Sequence, residues 1–497
     1  MMILSGCTRP RLLARLRVLA KFAVVLIGAC AITASHAQVR SLSEQTRQFV
    51  KYAQPLIAIT HIRVIDGNGT AAKDDQTVVL RDGRIDAVGK DVDVPQDATL
   101  IDGSGHTLIP GLVGMHDHMF YPAPRVNPDA KDALYPEQGS SFPKLYLAGG
   151  VTTIRTTGSV EPYTDLSLKQ AIDAGKIPGP KMHTTGPYLE GVGSFTPQMH
   201  ELTDAADAAS TVNYWIAEGA TSFKAYMHIT RAELQAAAQA AHAKGIKITG
   251  HLCSIGFREA ADLGIDNLEH GLVVDTEFVP GKQPDVCPDT KLAATELTKL
   301  TIDSPKLQEL IHFLVAKKVA ITSTLPVFET FVPGRAPIDK RVLAAMLPQT
   351  QVEYLQRREQ VAKSKESPWA DLFKLEQEFE YAFVQHGGTL LAGLDPTGYG
   401  GVIAGYGDQR EVELLVESGF TPVQAIQIAT MNGARFMGEE KNIGSIETGK
   451  AADLVLIKGN PATNIKDIEN VEVVFKDGVG YDPVKLVDAA NGTVGLR

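Results

Sequence analysis

The chain contains 497 residues, and its 48 Lys and Arg residues against 58 Asp and Glu residues give a formal net charge of −10 at pH 7. Because a surface with this balance repels phosphate backbones, the composition argues against nucleic acid as a partner. It does not restrict the substrate, since the local charge of a pocket can oppose the net charge.

Residues 1–37 have the pattern of a secretory signal peptide. A basic, acid-free start precedes the apolar stretch FAVVLIGACAITA, and Ser35-His36-Ala37 follows as a cleavage site. The apolar stretch is shorter than the about 20 residues of a membrane-spanning helix, so we expect no membrane span. The segment IGAC also resembles a lipobox, in which Cys30 would carry a lipid anchor. Both alternatives predict a bacterial protein that is periplasmic or secreted.

The remaining chain divides into three parts by the spacing of its apolar residues. Residues 38–110 alternate short β-type runs with turn pairs such as Asp66-Gly67, and residues 441–497 do the same in ADLVLIKG and VEVVFKDG. Residues 111–440 alternate short strands with amphipathic helices that end at glycine, which is typical of parallel βαβ units. The sequence therefore predicts an α/β protein whose central part fits one (β/α)8 TIM-like barrel.

Two insertions interrupt this alternation and are expected to overhang the mouth of the barrel. They cover residues 273–303 and 326–383. The second contains the charged stretches QVEYLQRREQVAKSKE and WADLFKLEQEFEY, which we interpret as a solvated lid or a contact within a homo-oligomer. Substrate choice is expected to lie in these loops.

Six residues whose side chains can bind or bridge metal ions lie at or just past the ends of short apolar runs. They are His116, His118, Lys224, His251, His270 and Asp395. Residues i and i+2 of a strand face the same side, so the H-x-H pair offers two imidazoles to one ion. Catalytic groups of α/β barrels gather at such strand ends. Imidazole and carboxylate ligands suit Zn²⁺ and similar divalent ions; we expect Zn²⁺, with Mn²⁺, Co²⁺ or Fe²⁺ as alternatives that the sequence does not exclude.

Several long motifs carry a resemblance to a known family. They are IPGLVGMHDH, GGVTTIRTTG, KITGHLCSIGFREAADLGIDNLEHG, LLAGLDPTG and IGSIETGKAADLVLIKGNP. With these motifs the chain resembles the amidohydrolase superfamily over residues 55–480, and within it the branch of imidazolonepropionase-like and prolidase-like dipeptidases. The resemblance implies that the two ends of the mature chain pair into one small β-sandwich beside the barrel.

The resemblance also implies a binuclear metal centre. In the family, the first-strand histidine pair and the eighth-strand aspartate bind the more buried ion, and these correspond to His116, His118 and Asp395. The histidines of the fifth and sixth strands bind the second ion, and these correspond to His251 and His270. A carbamate formed from CO₂ on Lys224 bridges the two ions. The alternative is an ordinary lysine at this position and a site for one ion.

The implied activity is hydrolysis of a C–N bond in an amide or peptide-like substrate, such as a dipeptide or an N-acyl amino acid. A metal-activated water attacks, with Asp395 as general acid and base. Two alternatives remain open. The first is a hydrolase of a cyclic amide, a carbamate or an ester, including xenobiotics. The second is a catalytically silent periplasmic binding protein.

Four residues are candidates for substrate contacts. Arg155 would bind a substrate carboxylate and Tyr226 an oxyanion, and their alternatives are a salt bridge and a packed aromatic ring. His228 and His200 are weaker candidates. Relatives have a Gly-Gly-His stretch where this chain has VGSFTPQMH, which puts the transfer onto His200 in doubt.

The mature chain has two cysteines, Cys253 and Cys287, which follow the candidate fifth and sixth strands. An oxidising compartment permits a disulfide between their loops. Two unpaired thiols are the alternative.

Overall fold

The computed structural model describes residues 42–123, 133–335 and 338–495. The predicted signal peptide and Cys30 lie outside these ranges. In chain order the strands are β1 (Val50–Tyr52), β2 (Leu56–Val64), β3 (Lys73–Arg81), β4 (Arg84–Gly89), β5 (Thr99–Asp102), β6 (His106–Pro110), β7 (Leu112–Gly114), β8 (Val151–Arg155), β9 (Lys181–His183), β10 (Thr185–Leu189), β11 (Ser222–Ala225), β12 (Lys247–Gly250), β13 (Asn267–Glu269), β14 (Ala320–Ser323), β15 (Leu390–Ala392), β16 (Leu454–Lys458), β17 (Val471–Lys476) and β18 (Val479–Tyr481).

The helices connect these strands or extend the loops between them. The α-helices are Glu44–Arg47, Phe142–Ala148, Pro162–Asp173, Ala205–Glu218, Arg231–His242, Phe257–Leu263, Thr290–Leu297, Pro305–Lys317, Leu325–Glu329, Lys340–Ala345, Pro348–Ala362, Trp369–Gln385, Tyr406–Glu417, Pro422–Gln427, Gly433–Met437 and Pro483–Asp488. Short 3-10 helices cover Gly271–Val274 and Ile465–Glu469, and a π-helical turn covers Ile428–Asn432. In the described parts of the chain, no helix combines the length and the apolar character that a membrane-crossing segment needs.

A nine-stranded sheet contains strands from both ends of the described chain. Its order is β1-β18-β17-β16-β6-β2-β3-β4, and β5 pairs with β2. The link between the two ends is the antiparallel pairing of β16 with β6, in which Leu454 faces Pro110 and Lys458 faces His106. The pairing agrees with the predicted association of the two ends, while a two-layered sandwich stays a prediction.

The central part of the chain contains two parallel sheets. One has the order β7-β8-β9 and the other the order β10-β11-β12-β13-β14-β15. The two sheets meet at Thr184, which separates β9 from β10. At the outer edges, the Met115 N–H donates a hydrogen bond of 2.8 Å to the Ala392 carbonyl. The α/β class is thereby confirmed, but the described strands form two open sheets, so the closed barrel stays a prediction.

The short central strands are buried along their whole length. Every residue of β11 and of β14 is buried, as expected for parallel strands that are covered by helices. The helix Arg231–His242 illustrates the local signals, because it begins with a capping box between Thr230 and Glu233. Since the strands are parallel, their carboxyl ends open toward one side of the protein, and this side collects the polar residues described below.

The second insertion is packed into the protein more deeply than expected. One face of the helix Trp369–Gln385 is buried, including the side chains of Phe379, Phe383, Glu376 and Glu380. The interpretation as a solvated segment is therefore wrong for WADLFKLEQEFEY, whereas most residues of QVEYLQRREQVAKSKE are exposed or partly exposed. The acidic residues of WADLFKLEQEFEY, which made the stretch look solvent-exposed, are partly enclosed in the core.

The buried glutamates of this helix predict a pH-dependent stability. Burial raises the pKa of Glu376 to about 8, whereas an unfolded glutamate titrates near 4.5. Burial, together with repulsion from Glu376, raises the pKa of Glu380 well above its usual range. The folded state thus holds protons that the unfolded state releases. The stability that depends on neutral Glu376 is complete below about pH 4.5 and is lost as the pH rises toward about 8.

As the pH rises from about 5 to about 8, we expect the melting temperature of the wild type to fall. The melting temperature of the Glu376→Gln variant should fall less. Glutamine keeps an oxygen for the Val273 N–H, which donates to Glu376 Oε2 at 2.8 Å. Thermal melts followed by circular dichroism measure both proteins, and the exposed Glu309→Gln change is the matched control. An unchanged pH profile for Glu376→Gln would contradict the assignment.

Candidate metal centre

Three of the predicted ligands form a compact buried group. His116 and His118 follow β7, and Asp395 follows β15. The distance from His118 Nε2 to Asp395 Oδ1 is 3.6 Å, and that from His116 Nε2 to Asp395 Oδ2 is 3.9 Å. The ligand atoms of all three lie within 4.8 Å of one another. Among the described residues, these three side chains form a group of His, Cys, Asp or Glu residues that could hold one metal ion.

The other predicted ligands border this group. His270 Nε2 is 3.8 Å from Asp395 Oδ2, and the ring centroids of His270 and His251 are 4.4 Å apart. Lys224 Nζ is 2.9 Å from His116 Nε2. The structure therefore brings all six predicted residues to one place, although they come from strands spread over most of the central part.

Two of these residues have an unusual backbone conformation. The φ angles are 71° at His270 and 49° at Asp395, in the left-handed region that residues other than glycine rarely adopt. Backbone hydrogen bonds hold both residues, from the His270 N–H to Thr322 at 2.9 Å and from the Asp395 N–H to His116 at 3.0 Å. Such conformations cost roughly 1–3 kcal/mol each and cluster at functional sites.

His116 and His118 form hydrogen bonds through Nδ1, which leaves their Nε2 atoms available to bind a metal ion. His116 Nδ1 lies 2.8 Å from Glu269 Oε2, and His118 Nδ1 lies 3.2 Å from the Gly158 carbonyl. Both partners are acceptors, so each Nδ1 carries the proton and each Nε2 keeps a lone pair. His270 Nε2 and Asp395 Oδ1 are buried and have no hydrogen-bond partner among the described residues. Buried acceptors without a partner fit a divalent cation.

The electrostatic environment keeps the histidines neutral. Burial, followed by the charge of Lys224, lowers the pKa of His116 and of His118 well below the usual value and that of His251 to about 3. Burial and the neighbouring His251 lower the pKa of His270. Since metals bind the neutral imidazole, the site is ready to bind a cation at neutral pH.

Burial also shifts the pKa values of Lys224 and Asp395. It lowers the pKa of Lys224 to about 8, so about a tenth of its amine is neutral at pH 7, far more than for an exposed lysine. A neutral amine is the form that reacts with CO₂. Burial raises the pKa of Asp395 to about 6, even though the charge of Lys224 acts in the opposite direction.

Sequence reasoning missed Glu269, which orients His116. The Glu269 carboxylate is buried and also accepts hydrogen bonds from Arg155 Nη2, at 2.8 Å, and from Thr249. Arg155 donates further to the Met115 carbonyl and to Asn267. The acidic residue directly before His270, at the end of β13, was the signal that could have identified it.

The assignment of Arg155 to a substrate carboxylate is corrected by these contacts. Its side chain is 3% exposed and its guanidinium is bound to protein acceptors, which corresponds to the salt-bridge alternative. The role of Arg155 that the structure supports is to hold Glu269 in place.

The remaining substrate candidates differ in position. Tyr226 lines a cavity of about 320 Å³ together with His251, His270 and Asp395. Burial raises the pKa of its phenol well above the usual value, so the phenol stays protonated and can donate a hydrogen bond.

The two weaker candidates form ion pairs with nearby carboxylates. His228 forms an ion pair with Glu190 at 3.4 Å and is not among the residues lining this cavity. The side chain of His200 is 56% exposed and contacts Asp207 near the start of the helix Ala205–Glu218. A contact of either histidine with substrate stays a prediction.

A disulfide closes the loop beside the cavity. Cys253, which lines the cavity, is bonded to Cys287 in the first insertion, and their Cα atoms are 4.8 Å apart. Of the two alternatives left open by the sequence, the structure contains the disulfide.

Comparison with known proteins identifies related chains. A model of the amidohydrolase family matches residues 107–306 and 397–480, more than half of the chain and including all predicted ligands except Asp395. The imidazolonepropionase of Stenotrophomonas maltophilia (strain R551-3) is 35% identical over 107 residues, which are 20% of this chain and 25% of that relative's length.

Among solved structures, a Xaa-Pro dipeptidase with bound methionine is similar with a TM-score of 0.63 and 21% identity, covering 86% of this chain and 100% of the other. The bottromycin amidohydrolase is similar with a TM-score of 0.66 and 18% identity, covering 91% and 93%. These likenesses show a shared fold.

Proposed function

Because this chain belongs to the amidohydrolase family, whose metal-dependent hydrolases act on carbon–nitrogen bonds, we propose that it cleaves the amide bond of a small peptide-like molecule. Dipeptides and N-acyl amino acids are the substrates that this proposal covers. The observation that carries it is the buried group of His116, His118 and Asp395, whose acceptor atoms converge and include one without a hydrogen-bond partner.

The proposal includes two divalent ions per chain, with Zn²⁺ as the preferred metal. His116, His118 and Asp395 would hold one ion, and His251 and His270 the other. A carbamate on Lys224 would lie between them, and the short distance from Lys224 Nζ to His116 Nε2 supports this position. The metal supplies Lewis acidity and lowers the pKa of a coordinated water from 15.7 to about 7.

The protein's own groups would move the proton and stabilise the developing charge. Asp395 accepts the proton of the attacking water and returns it to the leaving amine. The Tyr226 phenol donates to the oxygen that becomes negative when the carbonyl is attacked. In balance, the hydroxyl of water joins the carbonyl carbon, the C–N bond breaks, and the nitrogen gains a proton.

The proposal also includes a closed (β/α)8 barrel, a β-sandwich and export to the periplasm. The contact between Met115 and Ala392 at the sheet edges supports the barrel. The Cys253–Cys287 disulfide supports an oxidising compartment, because such bonds persist outside the reducing cytosol. The signal-peptide pattern of residues 1–37 supports the same compartment.

The test combines metal content with turnover. We expect elemental mass spectrometry to find about two divalent ions per chain, and a panel of dipeptides and N-acyl amino acids to release free amine. The Lys224→Ala variant should bind fewer ions and lose activity, with partial recovery when formate or acetate replaces the bridging carboxylate. Lys317→Ala, at a lysine paired with Asp262 on the surface, is the matched control.

Unchanged metal content in Lys224→Ala would contradict the bridging role. Metal binding without turnover of any amide, carbamate or ester would favour a silent binding protein.

A further inference from the structure

The cavity beside the ligands has an aromatic wall formed by Phe328, Phe331 and Trp369. The ring of Trp369 is stacked with both phenylalanines, with centroid distances of 5.5 Å to Phe328 and 5.0 Å to Phe331. Phe328 also meets the ring of His270 edge-on at 5.5 Å. The aromatic wall therefore directly adjoins a predicted metal ligand.

The aromatic wall is held from behind by buried charges. Phe328 lies in the helix Leu325–Glu329, and the neighbouring Glu329 forms ion pairs with Arg410 at 2.7 Å and Arg335 at 3.0 Å. The N–H of Leu325, at the start of the same helix, donates to Glu411 Oε2 at 3.0 Å. A wall fixed in this way loses little freedom when a ligand binds, which favours affinity.

Apart from the proposed metal ions, the cavity offers no cationic partner for an anion. Among its described lining residues none is Lys or Arg, and Asp395 is the carboxylate. A charged substituent placed against the aromatic wall would lose its hydration without gaining an opposite charge. A flat, uncharged ring would instead bury apolar surface and stack on the aromatic side chains.

We propose that the aromatic wall selects substrates with an uncharged aromatic group next to the scissile bond. The inference rests on the proposed function, because it names the substrate class of the same site. Trp369 is the specificity-determining residue, since its ring contacts both phenylalanines and lies in the second insertion. Substrates that place a charged group against the aromatic wall are cleaved poorly.

Binding can be measured without turnover because the chain contains two tryptophans. In a Trp215→Phe protein, Trp369 is the single fluorescent reporter. We expect phenylacetamide to shift its emission saturably in chelator-treated protein, with a Kd at least about tenfold lower than those of hexanamide, phenylacetate and 2-phenylethylammonium. Equal affinity for the charged and neutral probes would overturn the proposal.

The second arm of the test measures turnover of aromatic, aliphatic and charged substrates. With metal-loaded protein we expect N-acyl phenylalanine or N-benzoyl substrates to exceed matched aliphatic and charged substrates about tenfold or more in kcat/KM. Trp369→Ala should abolish this preference by raising KM for the aromatic substrates, while Trp369→Phe keeps it. Phe313→Ala, a partly buried aromatic change in the helix Pro305–Lys317, is the matched control.

The two arms separate this inference from the proposed function. Turnover without aromatic preference overturns the inference and leaves the hydrolase intact. Selective binding of phenylacetamide without turnover of any substrate supports the aromatic wall and contradicts the proposed function. A preserved melting temperature in Trp369→Ala shows that the partly exposed residue is not needed for folding.

Discussion

The Asp395→Asn variant is expected to lose about 10²- to 10⁴-fold in kcat/KM, the range that general acid and base catalysis contributes. Asp395 lies between 3.6 and 3.9 Å from the Nε2 atoms of His116, His118 and His270. Asparagine has nearly the same size but can neither accept the proton of water nor supply a negative charge to a cation. Steady-state release of amine from the best substrate of the panel measures the effect.

Asp66→Asn is the matched control for this change. Asp66 is also buried, but it follows β2 of the nine-stranded sheet and accepts hydrogen bonds from Asn68 and Thr70. This variant should keep wild-type turnover. Full activity of Asp395→Asn, with metal still bound, would remove Asp395 from the mechanism.

The Glu269→Gln variant is expected to bind metal about 10- to 100-fold more weakly, although Glu269 is not itself a predicted ligand. Glu269 accepts the Nδ1 proton of His116 at 2.8 Å. If the glutamine amide donates to His116 instead, Nδ1 must become the acceptor and Nε2 must carry the proton. The lone pair that faces the metal site is then lost. Competition with a chelator of known affinity measures the change.

The ion pair with Arg155 makes the protein more sensitive to a substitution at Glu269. Its Nη2 lies 2.8 Å from Glu269 Oε1 in the protein interior, so removal of the charge leaves a buried guanidinium with a neutral partner. Glu413→Gln is the control, because Glu413 is also buried and paired with an arginine, Arg410. If both variants lower metal affinity equally, the effect is one of general stability and the orienting role of Glu269 is refuted.

The residues of the metal group could be predicted from the sequence, because the spacing of the ligand residues has a simple geometric meaning. His116 and His118 are two residues apart after an apolar run, and the other predicted ligands follow later runs in order. Parallel strands place such residues at a common edge. The expectation of a metal-dependent hydrolase acting on C–N bonds is confirmed by the family match.

The contacts that tune the site were not readable in the same way. Arg155 and Glu269 are 114 residues apart, so no local pattern reveals their ion pair. The left-handed backbone at His270 and Asp395 depends on hydrogen bonds to other strands, and propensity predicts against it. The charged stretch around Glu376 has the composition of a surface helix, yet one face with Phe379 and Phe383 packs into the core, and this burial raises the pKa of Glu376.

The pairing of β16 with β6 makes the order of synthesis important for this protein. The nine-stranded sheet is complete only once β18 has been made, and because Leu454 pairs with Pro110, β6 cannot be joined to β16 until residue 458 has been made. Until then one edge of β6 remains open, and open strand edges recruit other chains. Contacts so distant in sequence also form slowly. A nascent chain kept unfolded until it is complete avoids this hazard, as does a chaperone that covers β6.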